Sequence, residues 1–545
     1  MERGEGESKK ASGEASLGGL RPRIKYEGKL SLPFPNRSLK ISLNMLRIIP
    51  GLSRDFLDFK LAEEAFLRDF PEYEQTKSLE RLRKTEYARL DAQRQVYLDY
   101  TGGGLYASRQ VTLHMKLLEG QVYGNPHSVN PSSVVSTKLC EEAREFVLRY
   151  FNASSAEYEL VFTQNATGAL KIVGESYPFG EGSTYLLTED NHNSVSGIRE
   201  FAHKKQAKVS YVSCRVSDLR VATGDVAEAL DGSRGPDSLF AYPAQSNFSG
   251  VKHPLEWIEM AHQKGWDVLL DCSAYVPTNR LDLSQVFPDF VCVSFYKMFG
   301  YPTGIGCLIV RKRAFKKLVK PWFAGGTVWA AAAVNNPTGF ILYDDIQKFE
   351  DGTIDYLSIP AVKIGLSYME EVGIEKINTR VRLLTAWVLQ QFASMPFIRV
   401  CGPADSDIRG GTIAFKVIGG DGVEIDERII AHRAAEIGIS LRTGCFCNPG
   451  AAFMAGAHSA SISDKWSEMD ISTVKEKVYR GEESFETFLT RTGFDSTSLF
   501  IRISFGIVSN FRDCYKLIRF LYAFQGKGSC SFEITDTTRR TVRHL

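Results

Sequence analysis

The chain has 545 residues, 43% of them hydrophobic, and its 66 lysines and arginines nearly balance 64 aspartates and glutamates. This length and composition are sufficient for two or three globular domains with buried cores. The balanced charge gives no reason to expect binding to nucleic acid or to an anionic membrane surface. No apolar run approaches the roughly 20 residues of a membrane span, and the N-terminus lacks signal-peptide and transit-peptide features. We therefore expect a cytoplasmic protein, and ten mostly solitary cysteines agree with a reducing compartment.

Composition separates two tails and a helical segment from the rest of the chain. Residues 1–23 are polar and rich in glycine, which is typical of a disordered tail, and residues 526–545 predict a second tail. Residues 24–95 predict a helical N-terminal extension, because their apolar residues follow helical spacing and lysine, glutamate and arginine are frequent.

The remaining chain predicts two domains. In residues 96–353, short β-branched or aromatic runs alternate with amphipathic segments, which is typical of an α/β sheet with helices on both faces. The seven predicted strands are residues 159–163, 183–188, 208–212, 239–243, 266–271, 290–295 and 306–312. Residues 354–525 predict a smaller α+β domain, in which residues 453–498 are polar and weakly periodic and are interpreted as an insertion.

Three segments of the predicted large domain together indicate a cofactor site. Lys297 follows a buried strand and is either a snorkelling side chain or an amine that bonds covalently to a carbonyl group. Asp271 ends another apolar strand and would either cap a helix or keep the pyridine nitrogen of pyridoxal phosphate protonated. Ala166 and Thr167 begin a helix after a strand, where backbone N–H groups and the Thr167 hydroxyl would face a phosphate. The ordered set is more specific than any one member.

From about residue 96 to residue 520 the sequence resembles the class V aminotransferase-like cysteine desulfurases, and most closely the desulfurase part of molybdenum cofactor sulfurases. The matching stretches are YGNPHS, PAQSNFSG, SFYKMFGYPTGIG, FEDGT and LRTGCFCNPGA. The resemblance implies an α/β protein with the fold type I of pyridoxal 5′-phosphate-dependent transferases. Its large domain would contain a mostly parallel seven-stranded sheet, and its smaller α+β domain would carry the two cysteines.

The resemblance also implies roles for residues around the cofactor ring. Lys297 matches the lysine that binds the cofactor covalently, and Asp271 matches the partner of the pyridine nitrogen. Asn247 falls where the family bonds the phenolic oxygen of the ring. His192 falls where the family stacks a histidine on the ring and uses it in proton transfer.

The same resemblance places the phosphate and a second subunit. Ser294 and Tyr296 match phosphate-binding positions beside the lysine, with Thr167 on the opposite side. Thr353 resembles a threonine that reaches the partner subunit's cofactor, which implies a homodimer.

Departures from the family pattern occur at two positions and beyond the core. Ala274 stands three residues after the aspartate, where bacterial desulfurases have a polar group and the sulfurases a small one. Ala452 replaces a third cysteine that the sulfurase motif commonly has. Only a short polar tail follows the core, so we expect the molybdenum-cofactor-binding module of sulfurases to be missing.

Cys445 and Cys447 lie one residue apart in a glycine-bounded loop, and four roles are open to them. A zinc site would need two further ligands, and His432 and His458 offer no paired spacing. A disulfide between residues i and i+2 is strained, and an inert structural role fits poorly with a glycine- and proline-rich loop. The fourth role is a nucleophilic thiol, whose pKa a cation such as Arg442 would lower from about 8.5. In the desulfurase pattern Arg-Thr-Gly-x-x-Cys, the active thiol corresponds to Cys447.

The resemblance implies L-cysteine as the substrate and an enzyme persulfide with alanine as the products. Arg502, helped by Arg442, would hold the substrate carboxylate, and Lys297 would take the α-proton. The sulfur acceptor would be a separate protein or a carrier of the molybdenum cofactor. Two alternatives are an aminotransferase or lyase acting on another amino acid, and a dimeric partner protein that binds the cofactor without catalysis.

Overall fold

The computed structural model describes residues 54–232, 235–332, 339–456 and 499–528. The predicted tail at residues 1–23 lies outside these ranges, as do most of the predicted C-terminal tail and residues 457–498 of the predicted insertion. By contacts the chain divides into the units Met1–Asp58 and Phe59–Leu545. The features that follow belong to the second unit, apart from the first turn of the first helix.

Helices dominate the first described segment, as their apolar spacing predicts. The α-helices are Arg54–Asp69, Ser78–Glu86 and Ala88–Ala92, with a 3-10 helix at Pro71–Thr76. Phe66 stacks on Phe511 of the C-terminal helix with ring centroids 4.6 Å apart, and buried Arg83 forms an ion pair with Asp513 at 2.5 Å. Aromatic packing and one buried ion pair therefore join the N-terminal helices to the end of the chain.

A seven-stranded sheet forms the centre of the fold, in the strand order β2-β8-β7-β6-β5-β3-β4. Its strands are β2 Tyr158–Thr163, β3 Thr184–Thr188, β4 Lys208–Val212, β5 Leu239–Pro243, β6 Asp267–Asp271, β7 Phe290–Ser294 and β8 Gly306–Arg311. Only β8 runs against its neighbours among these strands. The predicted seven-stranded, mostly parallel sheet is confirmed. Every residue of β5, β6 and β7 is buried, which explains their continuous apolar sequences.

Helices connect the strands and bury the sheet. They are Ser108–Gly120, Pro131–Tyr150, Ala166–Ser176, Asn193–Ser196, Arg199–Lys204, Thr223–Asp231, Trp257–Gln263, Phe295–Phe299 and Lys312–Phe315. Leu170 and Val173 of the helix Ala166–Ser176 share one buried cluster with Phe290 and Leu308 of the sheet. Because four strand pairs are parallel, several loops emerge at the same edge of the sheet, where α/β proteins bind ligands.

A second, antiparallel sheet has the order β11-β12-β15-β14. Its strands are β11 Ile398–Cys401, β12 Thr412–Val417, β14 Arg442–Gly444 and β15 Phe500–Ser504. The helices of this region are Ile359–Val372, Ile374–Ala393, Glu427–Glu436, Pro449–Gly456 and Phe511–Tyr522. The sequence predicts β12 and β15 but not β11 or β14, which are too short to show a periodic pattern. The helix Pro449–Gly456 also runs past residue 453, where the insertion was predicted to begin.

Two small pairings complete the described secondary structure. Strand β1 Val96–Tyr97 pairs in parallel with β13 Ile439–Ser440, and β9 Val328–Ala331 pairs with β10 Phe340–Leu342. A 3-10 helix spans Ile346–Phe349. Among the described helices, none has the length and apolarity needed to cross a membrane.

Candidate active site

Adjacent strands of the large sheet bring an acid and an amine to the same edge. Asp271 is the last residue of β6, and Ser294 is the last residue of its neighbour β7. The helix Phe295–Phe299 starts at once after Ser294 and carries Lys297 in its middle. Asp271 accepts a hydrogen bond from the backbone N–H of Ser273 at 2.9 Å through Oδ1. The strand order therefore brings together two predicted site residues that lie far apart in the chain.

The environment of Lys297 favours a neutral amine. Burial lowers the pKa of Lys297. The negative charge of Asp271 raises this pKa, and the positive charge of Arg502 lowers it further. Cys447 lies close enough to Lys297 that its thiolate form would raise this pKa. A lysine with a lowered pKa has a larger unprotonated fraction at neutral pH, which is the form that acts as a nucleophile or base.

His192 lies at the start of the helix Asn193–Ser196, and its Nδ1 accepts the backbone N–H of Ser194 at 3.1 Å. Because Nδ1 is the acceptor, the proton of the neutral ring is on Nε2. Burial lowers the pKa of His192, Asp271 opposes this, and the charge of Lys297 lowers it further. The ring is therefore held in one neutral tautomer.

The residues predicted to bind the phosphate form hydrogen bonds in this structure. The backbone N–H of Ala166 donates to the Ser294 hydroxyl at 2.9 Å, and the hydroxyls of Thr167 and Ser194 lie 2.8 Å apart. Ser294 is thus bonded to the N-terminus of the helix Ala166–Ser176, which connects two of the three predicted segments. Tyr296, two residues further on, is half-buried, and burial raises the pKa of its phenol.

Thr353 lies on an exposed segment after the 3-10 helix Ile346–Phe349. Its hydroxyl accepts a hydrogen bond from Asn125 at 3.1 Å, and Asn125 belongs to the YGNPHS stretch. The structure therefore places Thr353 beside a second motif of the sequence.

Both predicted carboxylate-binding arginines contact Asp99, a residue that the sequence did not single out. Arg442 forms an ion pair with Asp99 at 2.7 Å, and Arg502 forms one at 3.0 Å. Arg502 is buried, whereas half of the Arg442 side chain is exposed. Hydrogen bonding to Asp99 raises the pKa of Arg442, while burial lowers that of Arg502. The signal for Asp99 in the sequence was an acid three residues before a run of three glycines, in LDYTGGG.

The two cysteines belong to a tight turn, which we call the thiol loop and define as residues 444–448. The N–H of Asn448 donates to the carbonyl of Cys445 at 3.0 Å. Phe446 and Cys447, the two central residues, have φ values of 57° and 54°. Positive φ at both central positions is the pattern of a type I′ turn, which ordinarily favours glycine or asparagine.

Two asparagines fix the position of this turn. The side chain of Asn247 donates to the Phe446 carbonyl at 2.7 Å and accepts from Asn448 at 3.0 Å. Fully buried Asn448 also donates to the Asp190 carbonyl at 2.7 Å. Asn247, which was predicted to contact the cofactor ring, therefore also holds the thiol loop.

The loop presents one cysteine outward. Among the nine cysteines that the structure describes, Cys447 is exposed and Cys445 is half-buried against Phe446 and its neighbours. The others are buried, and burial raises the pKa of each thiol: Cys140, Cys214, Cys272, Cys292, Cys307, Cys401 and Cys514. The backbone N–H of Asn193 donates to the Cys447 carbonyl at 2.7 Å, which joins the thiol loop to the start of the helix that follows His192.

Metal binding has no support in the described residues, where no group of three or more histidine, cysteine or acidic side chains could hold an ion. His432 forms an ion pair with Glu436 at 3.7 Å, and His458 lies outside the described ranges.

Residues 96–513 match the family described as aminotransferase class-V. The chain belongs to this family. It is 35% identical over 474 residues to the molybdenum cofactor sulfurase of Bos taurus, covering 82% of this chain and 52% of that protein. Its identity to the molybdenum cofactor sulfurase of Solanum lycopersicum is 33%, covering 85% of this chain and 60% of the relative. The chain thus spans about half to three fifths of the length of these curated relatives.

Solved structures support the same class V assignment at the level of fold. An apo cysteine desulfurase from Thermococcus onnurineus NA1 superposes with a TM-score of 0.67 at 20% identity, covering 82% of this chain and 98% of that one. The cysteine desulfurase CsdA from Escherichia coli gives a TM-score of 0.63 at 21% identity, with the same coverage. The fold is that of pyridoxal phosphate-dependent enzymes of fold type I.

The class V family and this fold indicate pyridoxal 5′-phosphate as the cofactor. The described residues suit such a group, because an amine with a lowered pKa, a carboxylate and a helix N-terminus lie at the same sheet edge. The Ser273 hydroxyl is buried without a hydrogen-bond partner in the described part of the chain, and it follows Asp271 by two residues. An unpaired polar atom beside the predicted ring-nitrogen partner is the kind of group that a polar ligand satisfies.

Proposed function

We propose that this chain is an L-cysteine desulfurase that moves the substrate sulfur onto Cys447 and releases alanine. The observation that carries the proposal is the position of Cys447, the exposed thiol of the described residues. A thiolate at this position would raise the pKa of both Lys297 and Arg502, against the larger lowering effect of burial on each, because the thiol lies close to both groups. A nucleophilic thiol beside an amine and a carboxylate-binding arginine is the combination that desulfuration needs.

In this proposal, Lys297 binds pyridoxal phosphate covalently and Asp271 pairs with the pyridine nitrogen. His192 would stack on the ring, Asn247 would bond the phenolic oxygen, and the N-terminus of the helix Ala166–Ser176 with Ser294 would hold the phosphate. Ala166 contributes through its hydrogen bond to Ser294, and Thr167 and Tyr296 complete the phosphate site. When bound, the cofactor supplies an electron sink for the bonds at the substrate α-carbon.

Substrate binding depends on charge. Arg502 and Arg442 hold the carboxylate of L-cysteine, since Asp99 is the one acid among the described residues that pairs with these two cations. Lys297 would remove the α-proton, because its lowered pKa keeps the amine available as a base. His192, neutral and protonated on Nε2, assists the proton transfers.

The sulfur step conserves atoms and electrons. The Cys447 thiolate attacks the substrate sulfur, a sulfur–sulfur bond forms, and the bond between that sulfur and the substrate β-carbon breaks. The electron pair of the broken bond stays with the carbon fragment, which takes up protons and leaves as alanine. Cys447 is left as a persulfide, and the exposed loop presents it to an acceptor.

The acceptor in this proposal is a separate protein or a carrier of the molybdenum cofactor. The similarity to proteins named molybdenum cofactor sulfurase supports the second choice.

Incubation of the purified protein with L-cysteine, with alanine and sulfide measured together, tests the proposal. Equal amounts of alanine and transferable sulfur are expected in the presence of a thiol reductant. A class V aminotransferase or lyase for another amino acid would not release alanine from cysteine. A non-catalytic partner protein would bind the cofactor and form neither product.

Replacing Gly450 by alanine is expected to slow alanine formation about a hundredfold, because a small displacement of a reacting group has an effect of that size. A Cβ atom at Gly450 would overlap the Glu189 carbonyl, so the backbone after the thiol loop must move. Gly456→Ala in the same helix is the matched control, since no atom of the described residues lies within 4 Å of its Cβ position. Cofactor absorbance should be unchanged in both variants. Equal activity of the two would show that the loop position is unimportant.

A homodimer is the expected assembly, and we propose that Thr353 completes the partner's site. Large apolar side chains are exposed on the described surface, including Val129 at 94%, Trp329 at 70% and Ile341 at 59%. Exposed apolar area of this kind marks an interface.

Thr353→Ala should weaken cofactor retention in this dimer. Mixing Thr353→Ala with Lys297→Ala subunits should yield heterodimers with one site carrying both lesions and one carrying neither. Activity should therefore recover to about a quarter of wild type after random mixing of equal amounts. An active protein that sediments as a monomer would contradict the shared site.

A further inference from the structure

The Asp99 carboxylate accepts hydrogen bonds from two arginines, Arg442 and Arg502. Its Oδ2 accepts from Arg442 Nη2 at 2.7 Å and from Nε at 3.0 Å. Its Oδ1 accepts from Arg502 Nη2 at 3.0 Å and from Arg442 Nε at 3.1 Å. One carboxylate thus orients two guanidinium groups that come from the paired strands β14 and β15.

The carboxylate has little freedom to move. Asp99 pairs with Ser504 in an isolated β-bridge, and the Ser504 hydroxyl accepts the N–H of Thr101 at 2.8 Å. Gly102 closes over the ion pair, because a Cβ there would lie 2.5 Å from Asp99 Oδ2 and 2.7 Å from Arg442 Nη2. Gly102 therefore lets the backbone cover the charge cluster, because any side chain there would collide with it.

The cluster retains capacity for a second anion. Arg502 Nη1 donates to the Asn247 carbonyl at 3.0 Å, and its buried Nε has no partner within the described residues. Arg442 uses one edge of its guanidinium for Asp99 and has half of its side chain exposed. Two cations with one anion leave a net positive site, and the remaining donors suit a carboxylate.

We propose that Asp99 is a positioning residue for the substrate carboxylate: it fixes Arg442 and Arg502 in the orientation that recognises a free α-carboxylate. This rests on the proposed function and deepens it, because it limits the substrate to α-amino acids and excludes the corresponding amines. Asp99 itself does not contact the substrate. Its effect is on selectivity between ligands that differ only in the carboxylate.

Binding of L-cysteine and of cysteamine, which lacks the carboxylate, tests the proposal. Both ligands are titrated into cofactor-loaded Cys447→Ser protein, where sulfur transfer is blocked, and the cofactor absorbance reports binding. Adding Asp99→Asn should weaken L-cysteine binding at least about tenfold and change cysteamine binding less than about twofold. Equal weakening of both ligands would indicate a purely structural role, and tighter L-cysteine binding would show that Asp99 competes with the substrate; either result overturns the proposal.

Asp99→Glu separates position from charge, because it keeps the charge but shifts the carboxylate under the tight cover of Gly102. Asp99→Glu should lose the preference for L-cysteine over cysteamine, as Asp99→Asn does. If the variant kept the wild-type preference, Asp99 would act only by neutralising positive charge, and the positioning role would be wrong.

A measurement on the apo protein requires neither cofactor nor turnover. The rate at which phenylglyoxal modifies Arg442 should rise several-fold in Asp99→Asn, with exposed Arg199 as the internal reference. An unchanged rate would contradict the restraint of Arg442. If alanine never forms but the selectivity change is found, the sulfur-transfer proposal fails and the positioning role stands.

Discussion

Cys447→Ser is expected to lower persulfide and alanine formation at least about a thousandfold, or ~4 kcal/mol in the transition state, because a serine hydroxyl cannot accept sulfane sulfur. Cofactor binding and the absorbance change with L-cysteine should persist, since neither uses this thiol. Pre-steady-state absorbance and alanine release, measured on the same preparation, separate these steps. The variant should therefore bind substrate and stop before sulfur transfer.

Cys445→Ser is the matched control for Cys447→Ser. Cys445 lies two residues away in the same turn, but it is half-buried and packs against a cluster that includes Phe446. Its replacement should have a mild effect on turnover. Full activity in Cys447→Ser, or loss of activity only in Cys445→Ser, would transfer the chemical role to the other cysteine.

Lys297→Ala is expected to abolish both the covalent link to the cofactor and turnover, with a rate loss of about 10⁴-fold or more, because one amine acts as anchor and base. Borohydride reduction and peptide mass mapping should find the cofactor on Lys297 in the wild type and on no residue in the variant. Exposed Lys316→Ala serves as control and should retain the label. Reduced cofactor on a different lysine would remove the basis of the mechanism.

The pH dependence of reconstitution checks the state of the same amine. Only the unprotonated amine bonds to the cofactor, and burial lowers the pKa of Lys297 from its ordinary value of 10.5. The rate of cofactor incorporation into the apo protein should therefore rise with pH and reach its midpoint below 10.5. A midpoint at or above that value would show that the pocket does not favour the neutral form.

The large sheet was predictable from the sequence because β3, β5, β6 and β7 are buried along their whole length and the other strands are short runs rich in β-branched or aromatic residues. Strands β4 and β5 have the predicted bounds, and β6 and β7 differ from prediction by one residue at one end. Continuous apolar runs bounded by polar turns contain this information locally. Strand β14 was not predicted because three residues are too few for periodicity, although it carries Arg442 and leads into the thiol loop.

The site residues also divide into those that local sequence indicates and those whose roles depend on contacts made by the fold. Lys297 and Asp271 follow apolar strands, so local sequence indicates where they lie. The role of Asp99 depends on contacts with partners 343 and 403 residues away, which no local pattern contains. Asn448 likewise holds the thiol loop through Asn247, 201 residues away. Residues that position other residues are therefore the part of the site that required the fold.

Locating the transferred sulfur after a single turnover tests the central claim most directly. The cofactor-loaded protein is mixed with less than one equivalent of L-cysteine, trapped with an alkylating agent and mapped by peptide mass. We predict one extra sulfur atom on Cys447, in an amount equal to the alanine released. Extra sulfur on Cys445 alone, or alanine without any sulfur on the thiol loop, would contradict the assignment of Cys447 as the sulfur carrier.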